Sequence, residues 1–307
     1  MRVTIKVGTS TLAHPSGLLN IRRVEALCRV MSDLKNAGHE LVLVSSGAIG
    51  MGVGKLSLRE RPSDIPTKQA AAAVGQCELM YTYDKLFSEY HHVVAQILVT
   101  AGDIELPQRR AHFHNTLFRL LELGVLPIVN ENDTVATEEI VIGDNDTLAA
   151  EVAVSANAEL LVILSDIDGL YTADPRTDPA ARLIPCVPRL TPEIEALAGC
   201  AGSALGTGGM ATKLRAARLT EQAGIEMVIA NGADPSVLYR IFDGEPVGSF
   251  LQYPGALEVG VEFFSLSKSF NVTGARIGFL VGREDVVSAF AKLRGQIDFG
   301  MFFPIQK

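Results

Sequence analysis

Positive charge is in short supply. The 307-residue sequence carries 27 Lys plus Arg against 35 Asp plus Glu, a formal net charge of −8. No basic cluster is longer than the pairs Arg22-Arg23 and Arg109-Arg110. Such a chain offers no cationic surface to release counterions from nucleic acid or anionic lipid, so neither is an expected partner. Long uncharged runs are missing too. The longest, Ala196 to Thr212, has 17 residues and five glycines, too short and too glycine-rich for a bilayer-crossing helix of about 20 apolar residues. The N-terminus reads as a strand over Val3–Val7, without the apolar core and cleavage site of a signal peptide. Cys28, Cys77, Cys186 and Cys200 form no Cys-x-x-Cys pair. Free thiols in a reducing cytoplasm fit that spacing better than disulfides or a metal site.

Several familiar signatures are also lacking. Lys55 follows a glycine, but Leu56 stands where a Walker A loop needs Ser or Thr. Gly50-x-Gly52-x-Gly54 reads as a glycine-rich turn that does not meet the dinucleotide fingerprint. Among six histidines, His91 and His92 are adjacent, and His112 and His114 are two apart on a predicted helix. Neither pair faces one ligand, so no protein-held metal is expected, and no Ser-His-Asp arrangement is suggested.

What is present is an alternation. At 48% hydrophobic the chain can bury a sizeable core, and its length fits about two domains. Apolar runs at Val3–Val7, Glu40–Ser45, Val93–Val99, Val125–Asn130, Glu159–Ser165 and Glu226–Ala230 predict buried strands. Helical patterns lie between them at Ile21–Ala37, Thr67–Tyr90, Arg109–Leu123, Asp144–Ala156 and Met210–Ala223. Asn20 suits an N-cap, and Gly38 and Gly124 suit helix stops. The expected fold is α/β, a three-layer αβα sandwich around a mainly parallel sheet.

Ligands of such sheets bind beyond the carboxyl ends of the strands. Glycines, hydroxyls and carboxylates recur there: Gly8-Thr9-Ser10, Ser45-Ser46-Gly47, Glu131-Asn132-Asp133 and Asp166. Lys6 sits inside an apolar strand and needs an anionic partner, either a nearby Asp or a phosphate. Gly206 through Lys213 is a glycine-rich loop entering a helix with a lysine in its first turn. That combination suits a phosphate, though a surface loop with a solvated lysine has the same composition. Gly143-Asp144-Asn145-Asp146 opens a helix without matching an EF-hand. Its carboxylates suit caps, lysine orientation, indirect metal binding or capture of an ammonium group.

Five segments in order resemble the amino acid kinase family over residues 1–251: Lys6–Ser10, Ser45–Gly50, Asn130–Thr134 with Gly143–Asp146, Gly169–Pro175 and Gly206–Lys213. Within the family they are most similar to the branch that phosphorylates the side-chain carboxylate of L-glutamate. The resemblance implies transfer of the ATP γ-phosphoryl group, with Mg²⁺, to give an acyl phosphate in the first step of proline biosynthesis. It implies that Lys6 and Lys213 contact the phosphate oxygens, that Asp146 orients them, and that Gly8 and Gly47 offer amides. Ser46, Asp133 and Asn145 would hold glutamate, Asp133 at its ammonium group. Ser165, Asp166, Thr207, Gly208, Gly209, Met210, Ala211, Thr212 and Lys213 would border the nucleotide. A homo-oligomer and inhibition by proline are further expectations of the resemblance. The alternatives are an aspartate or acetylglutamate kinase of the same fold, a pyridoxal-phosphate aminotransferase or its fusion remnant, and a catalytically silent amino-acid sensor. The chemistry agrees with the residues, because an ionised carboxylate nucleophile needs no general base, only positioning and charge neutralisation.

Residues 252–307 depart from this pattern. Ser265 through Gly278 resembles a piece of a fold-type I pyridoxal-phosphate aminotransferase, in which Lys268 would carry the cofactor and Arg276 would hold its phosphate. The upstream domain those enzymes require is replaced here by kinase-like sequence, so pyridoxal phosphate is not an expected cofactor. A segment this short buries too little surface to stand alone. It is expected to be a dispensable tail.

Overall fold

The computed structural model describes residues 1–14, 18–58, 60, 62–136, 145–197, 209–243, 261–265, 278–282, 285 and 288. Two compact units are delimited, Met1–Val237 and Leu238–Lys307.

The first unit is built on six parallel strands: β1 (Arg2–Val7), β2 (Glu40–Ser45), β3 (Val94–Val99), β4 (Leu126–Glu131), β5 (Leu160–Ser165) and β8 (Glu226–Asn231). Their spatial order is β3-β4-β2-β1-β5-β8. Lys6 of β1 is in register with Val44 of β2 and Ile163 of β5. From β1 the chain first builds outward on one side and later on the other. The carboxyl end of β1 is therefore the topological switch point, where ligands bind in sheets of this kind. A short antiparallel ribbon, β6 (Leu170–Tyr171) with β7 (Leu183–Ile184), follows β5.

Helices cover the sheet. α1 (Thr9–Leu12) follows β1 directly, and α2 (Ile21–Asn36) starts where the Asn20 side chain accepts from the Arg23 amide at 3.2 Å. α3 (Ala48–Lys55) follows β2, and α4 (Ile65–Ser88) packs against α3 and α2. α5 (Ala101–Glu105) and α6 (Pro107–Glu122) lie between β3 and β4. α7 (Asn145–Ser155), α8 (Pro192–Ala196) and α9 (Met210–Ala223) complete the unit. One core joins Val42, Val44, Val129, Leu161 and Ile163 of the sheet to Ala149, Ala150, Val152 and Ala153 of α7 and Ala216 of α9. The small side chains of α7 let its backbone lie close to the strands. The six strands and five long helices match the sequence expectation to within about two residues at each end, the usual scatter of element boundaries. Gly38 and Gly124 are in the left-handed conformation that a helix stop requires, at φ +92° and +71°.

One expectation is corrected. Gly50-x-Gly52-x-Gly54 is not a turn but the body of α3. A Cβ at Gly52 would meet the Ala71 carbonyl oxygen at 1.8 Å, and one at Gly75 would meet the Ala48 carbonyl oxygen at 1.8 Å. The glycines are there because α3 and α4 cross backbone against backbone, and that closeness outweighs glycine's poor helix propensity.

In the second unit, β9 (Val261–Ser265) and β10 (Gly278–Gly282) form an antiparallel pair with Gly278 opposite Ser265. Lys268 and Arg276 lie outside the described residues. Among the described residues no helix is long and apolar enough to cross a membrane, and Cys28, Cys77 and Cys186 are free thiols.

Candidate active site

Strand β1 carries Lys6 to the switch point, where it is 8% exposed. Its Nζ lies 2.6 Å from Oδ1 of Asp146, in the first turn of α7. The other oxygen of the same carboxylate lies 3.0 Å from Nζ of Lys213, in the first turn of α9. Thr212 Oγ1 lies 2.8 Å from that Oδ2 and 2.8 Å from the Gly209 carbonyl oxygen. Asp146, 1% exposed, is thus held by two ammonium groups and a hydroxyl. Burial alone pushes its carboxyl up; the ammonium groups of Lys6 and Lys213, with hydrogen bonds from Lys6 and Thr212, outweigh that and hold it below the usual carboxylate range. The result is a buried cluster with two cations and one anion, directed at the switch point.

Gly8, two residues after Lys6, caps α1; a Cβ there would stand 3.5 Å from Lys6 Nζ. Its lack of a side chain keeps the approach to the ammonium group open. Gly47 opens α3 at φ +107°, a conformation that strains other residues. Beside it, Ser46 Oγ accepts from Asn145 Nδ2 at 2.7 Å. Asn145 Nδ2 also reaches the Ser45 carbonyl oxygen at 3.3 Å and Asn130 Oδ1 at 3.0 Å. Asp133, half-buried, lies just beyond the end of β4. Ser46, Asn145 and the lysine cluster therefore meet through neighbouring residues 145 and 146 of one helix start.

Across β1, Ser165 Oγ donates to Asp166 Oδ1 at 3.3 Å, and Asp166 pairs with Arg176 at 2.8 Å. Met210 packs with Leu170 and Leu214 in a small apolar cluster, and Ala211 is exposed. Thr207 and Gly208 lie outside the described residues, as do Gly143 and Asp144. The hydroxyl of Thr212 faces Asp146 rather than solvent. Sequence reasoning assigned no role to Asn130, Gln76 or Tyr83, whose side chains back Asn145 and Ser45. A polar residue ending an apolar strand, as Asn130 does, was the one available signal.

The described residues bring no three His, Cys, Asp or Glu side chains together as a metal site, and the Asp146 carboxylate is engaged by lysines.

The family model "Amino acid kinase family" matches residues 1–231. The chain belongs to the amino acid kinase family. A second model, "Aminotransferase class I and II", matches residues 256–300. The glutamate 5-kinase of Clostridium acetobutylicum is 54% identical over 248 residues, covering 81% of this chain and 93% of that enzyme. The glutamate 5-kinase of Clostridium perfringens is 52% identical over 252 residues, covering 81% of this chain and 94% of its own. Among solved structures, carbamate kinase from Giardia lamblia bound to AMP-PNP has the family fold, with a TM-score of 0.55 at 17% identity, covering 80% of this chain and 96% of that one.

Proposed function

We propose that this chain transfers the γ-phosphoryl group of ATP to the side-chain carboxylate of L-glutamate, giving L-glutamyl 5-phosphate and ADP in the first step of proline biosynthesis. The observation that carries the reading is the sharing of Asp146 between Lys6 and Lys213 at the switch point. It occurs in a chain 52% identical or more to enzymes that carry this name.

The chemistry needs little covalent help. One carboxylate oxygen of glutamate forms a bond to the γ-phosphorus as the bond from that phosphorus to the β,γ-bridging oxygen breaks. The carboxylate is ionised at neutral pH and gives up no proton. Rate acceleration comes from alignment and from neutralising charge on the migrating group. Lys6 lies in the centre of the sheet and Lys213 at a helix start, so both cations stand on rigid elements. Asp146 fixes their direction. Gly8 and Gly47 provide amides without side chains in the way. Ser46 and Asn145 position the acceptor, with Asp133 at its ammonium group, and Ser165, Asp166 and the start of α9 border the nucleotide. Magnesium bound with the nucleotide would supply further neutralisation.

Residues 1–251 form the kinase in this reading, and 252–307 are a tail without pyridoxal-phosphate chemistry. The setting is the cytoplasm, and the family resemblance supports a homo-oligomer inhibited by proline. Sedimentation, with activity measured against added proline, tests those two properties. The reaction itself is tested by coupled ADP release with glutamate, aspartate, acetylglutamate and carbamate, trapping the acyl phosphate with hydroxylamine. Glutamate-dependent ADP release with hydroxamate formation is expected. Faster turnover on another acceptor overturns the assignment.

A further inference from the structure

Helix α4 reaches the acceptor side of the cleft through two polar side chains. Gln76, 8% exposed, accepts from Asn130 Nδ2 at 2.8 Å. Tyr83, two turns on and fully buried, places its hydroxyl 2.9 Å from Ser45 Oγ. The neighbour of Gln76 is Gly75, whose Cα lies against the Ala48 backbone. The helix is thereby fixed in depth at the residue from which Gln76 projects.

Asn130 has one consistent orientation. Its Oδ1 receives the Glu131 amide at 2.9 Å and Asn145 Nδ2 at 3.0 Å, while its Nδ2 donates to Gln76 Oε1. A flipped Asn130 would set its NH₂ against two donors and its oxygen against the oxygen of Gln76. Asn145 depends on that orientation. Its contacts to Ser46, Ser45 and Asn130 all use Nδ2, which leaves Oδ1 as the acceptor this side chain presents elsewhere. An acceptor suits the ammonium group of an amino acid; a donor would repel it.

We propose that Gln76 is a positioning residue for the amino-acid substrate: its Oε1 sets the Asn130 carboxamide, which sets Asn145 with its oxygen available to the substrate ammonium group. The proposal rests on the reading that Asn145 holds glutamate. Supporting it, Gln76 Nε2 is buried and has no partner among the described residues, so the oxygen is the end of the amide that the fold uses.

The test compares Gln76→Met, of similar shape but without the acceptor, with Gln76→Glu, which keeps one. Asn145→Ala serves as the control for the underlying reading. In the full-length protein, Gln76→Met should raise the KM for glutamate about tenfold, with kcat and the KM for ATP changed less than about twofold. Gln76→Glu should recover most of that loss. If Gln76→Met fails to fold, the same comparison uses Gln76→Ala, whose smaller side chain admits water. Equal rises in both KM values, or no recovery in Gln76→Glu, mark a merely structural role and overturn the proposal. An unchanged glutamate KM in Gln76→Met with a raised one in Asn145→Ala overturns it while sparing the reading of Asn145. An unchanged glutamate KM in Asn145→Ala overturns that reading as well.

Discussion

Lys6 and Lys213 share one carboxylate, Lys6 at Oδ1 of Asp146 and Lys213 at Oδ2. One cation comes from the first strand of the sheet and the other from the last long helix of the kinase unit. The proposed neutralisation of a migrating phosphoryl group from two sides requires that convergence, and the first prediction addresses it. Lys213→Ala should lower kcat about a hundredfold or more while changing the KM for glutamate only a few-fold, as loss of a contact made mainly in the transition state does. Steady-state kinetics against both substrates is the check; wild-type turnover in this variant would contradict the assignment.

Asp146 itself links the site to stability. Removing its charge leaves two ammonium groups that are each under 10% exposed without their shared anion. Asp146→Asn should therefore cost about 3–5 kcal/mol, the range for breaking a buried ion pair from one side. Urea unfolding monitored by circular dichroism measures it.

The same carboxyl sets an acid limit. Burial works to raise it, but the two lysines and the hydrogen bonds prevail, and its folded value lies below the usual one. A group depressed on folding contributes stability that is complete above the unfolded value, near ~4 for aspartate. That contribution is lost as pH falls through the folded value. Melting temperature recorded from pH 7 down to 3 should decline at the acid end, and Asp146→Asn should decline less over the same window.

Glycine substitutions separate two causes. Gly75→Ala puts a methyl group where the Ala48 carbonyl oxygen lies, at 1.8 Å, and backbone cannot swing aside as a side chain can. A cost of about 3 kcal/mol is expected, with α3 and the Gly47 turn disturbed. Gly38→Ala meets nothing within 4 Å and carries only the strain of φ +92°, about 1–2 kcal/mol. Equal melting temperatures for the two variants would refute the crossing argument.

Deleting residues 252–307 should leave glutamate-dependent ADP formation within about twofold of the full chain, since every proposed site residue lies upstream. Loss of activity in a deletion variant with a native circular dichroism spectrum would assign the tail a role.

Much of this architecture was legible beforehand, for physical reasons. Parallel strands buried on both faces leave nearly continuous apolar runs such as Leu160–Ser165, and caps such as Asn20 and Gly124 mark helix ends locally. Lys6 announced itself as a charge inside such a run. What stayed hidden depends on contacts distant in sequence. Gly50, Gly52 and Gly54 carry the composition of a turn, and only the approach of α4 makes them helical. The hydrogen bonds from Gln76 to Asn130 and from Thr212 to Asp146 join residues 54 and 66 positions apart. No local pattern encodes such pairings. The sheet order, with β1 at the switch point, is hidden for the same reason.

The central place of β1 has a consequence for synthesis. The strand is made well before its neighbour β5 and the helix bearing Lys213, which emerge from the ribosome only after most of the kinase unit has been made. A nascent chain that stops short of Lys213 holds the carboxylate and one cation without the other. Prematurely terminated chains should therefore lack catalysis, however much of the sheet they assemble. The long sequence separation of these contacts also favours slow, late closure of the centre, with the early strands exposed to aggregation until it occurs.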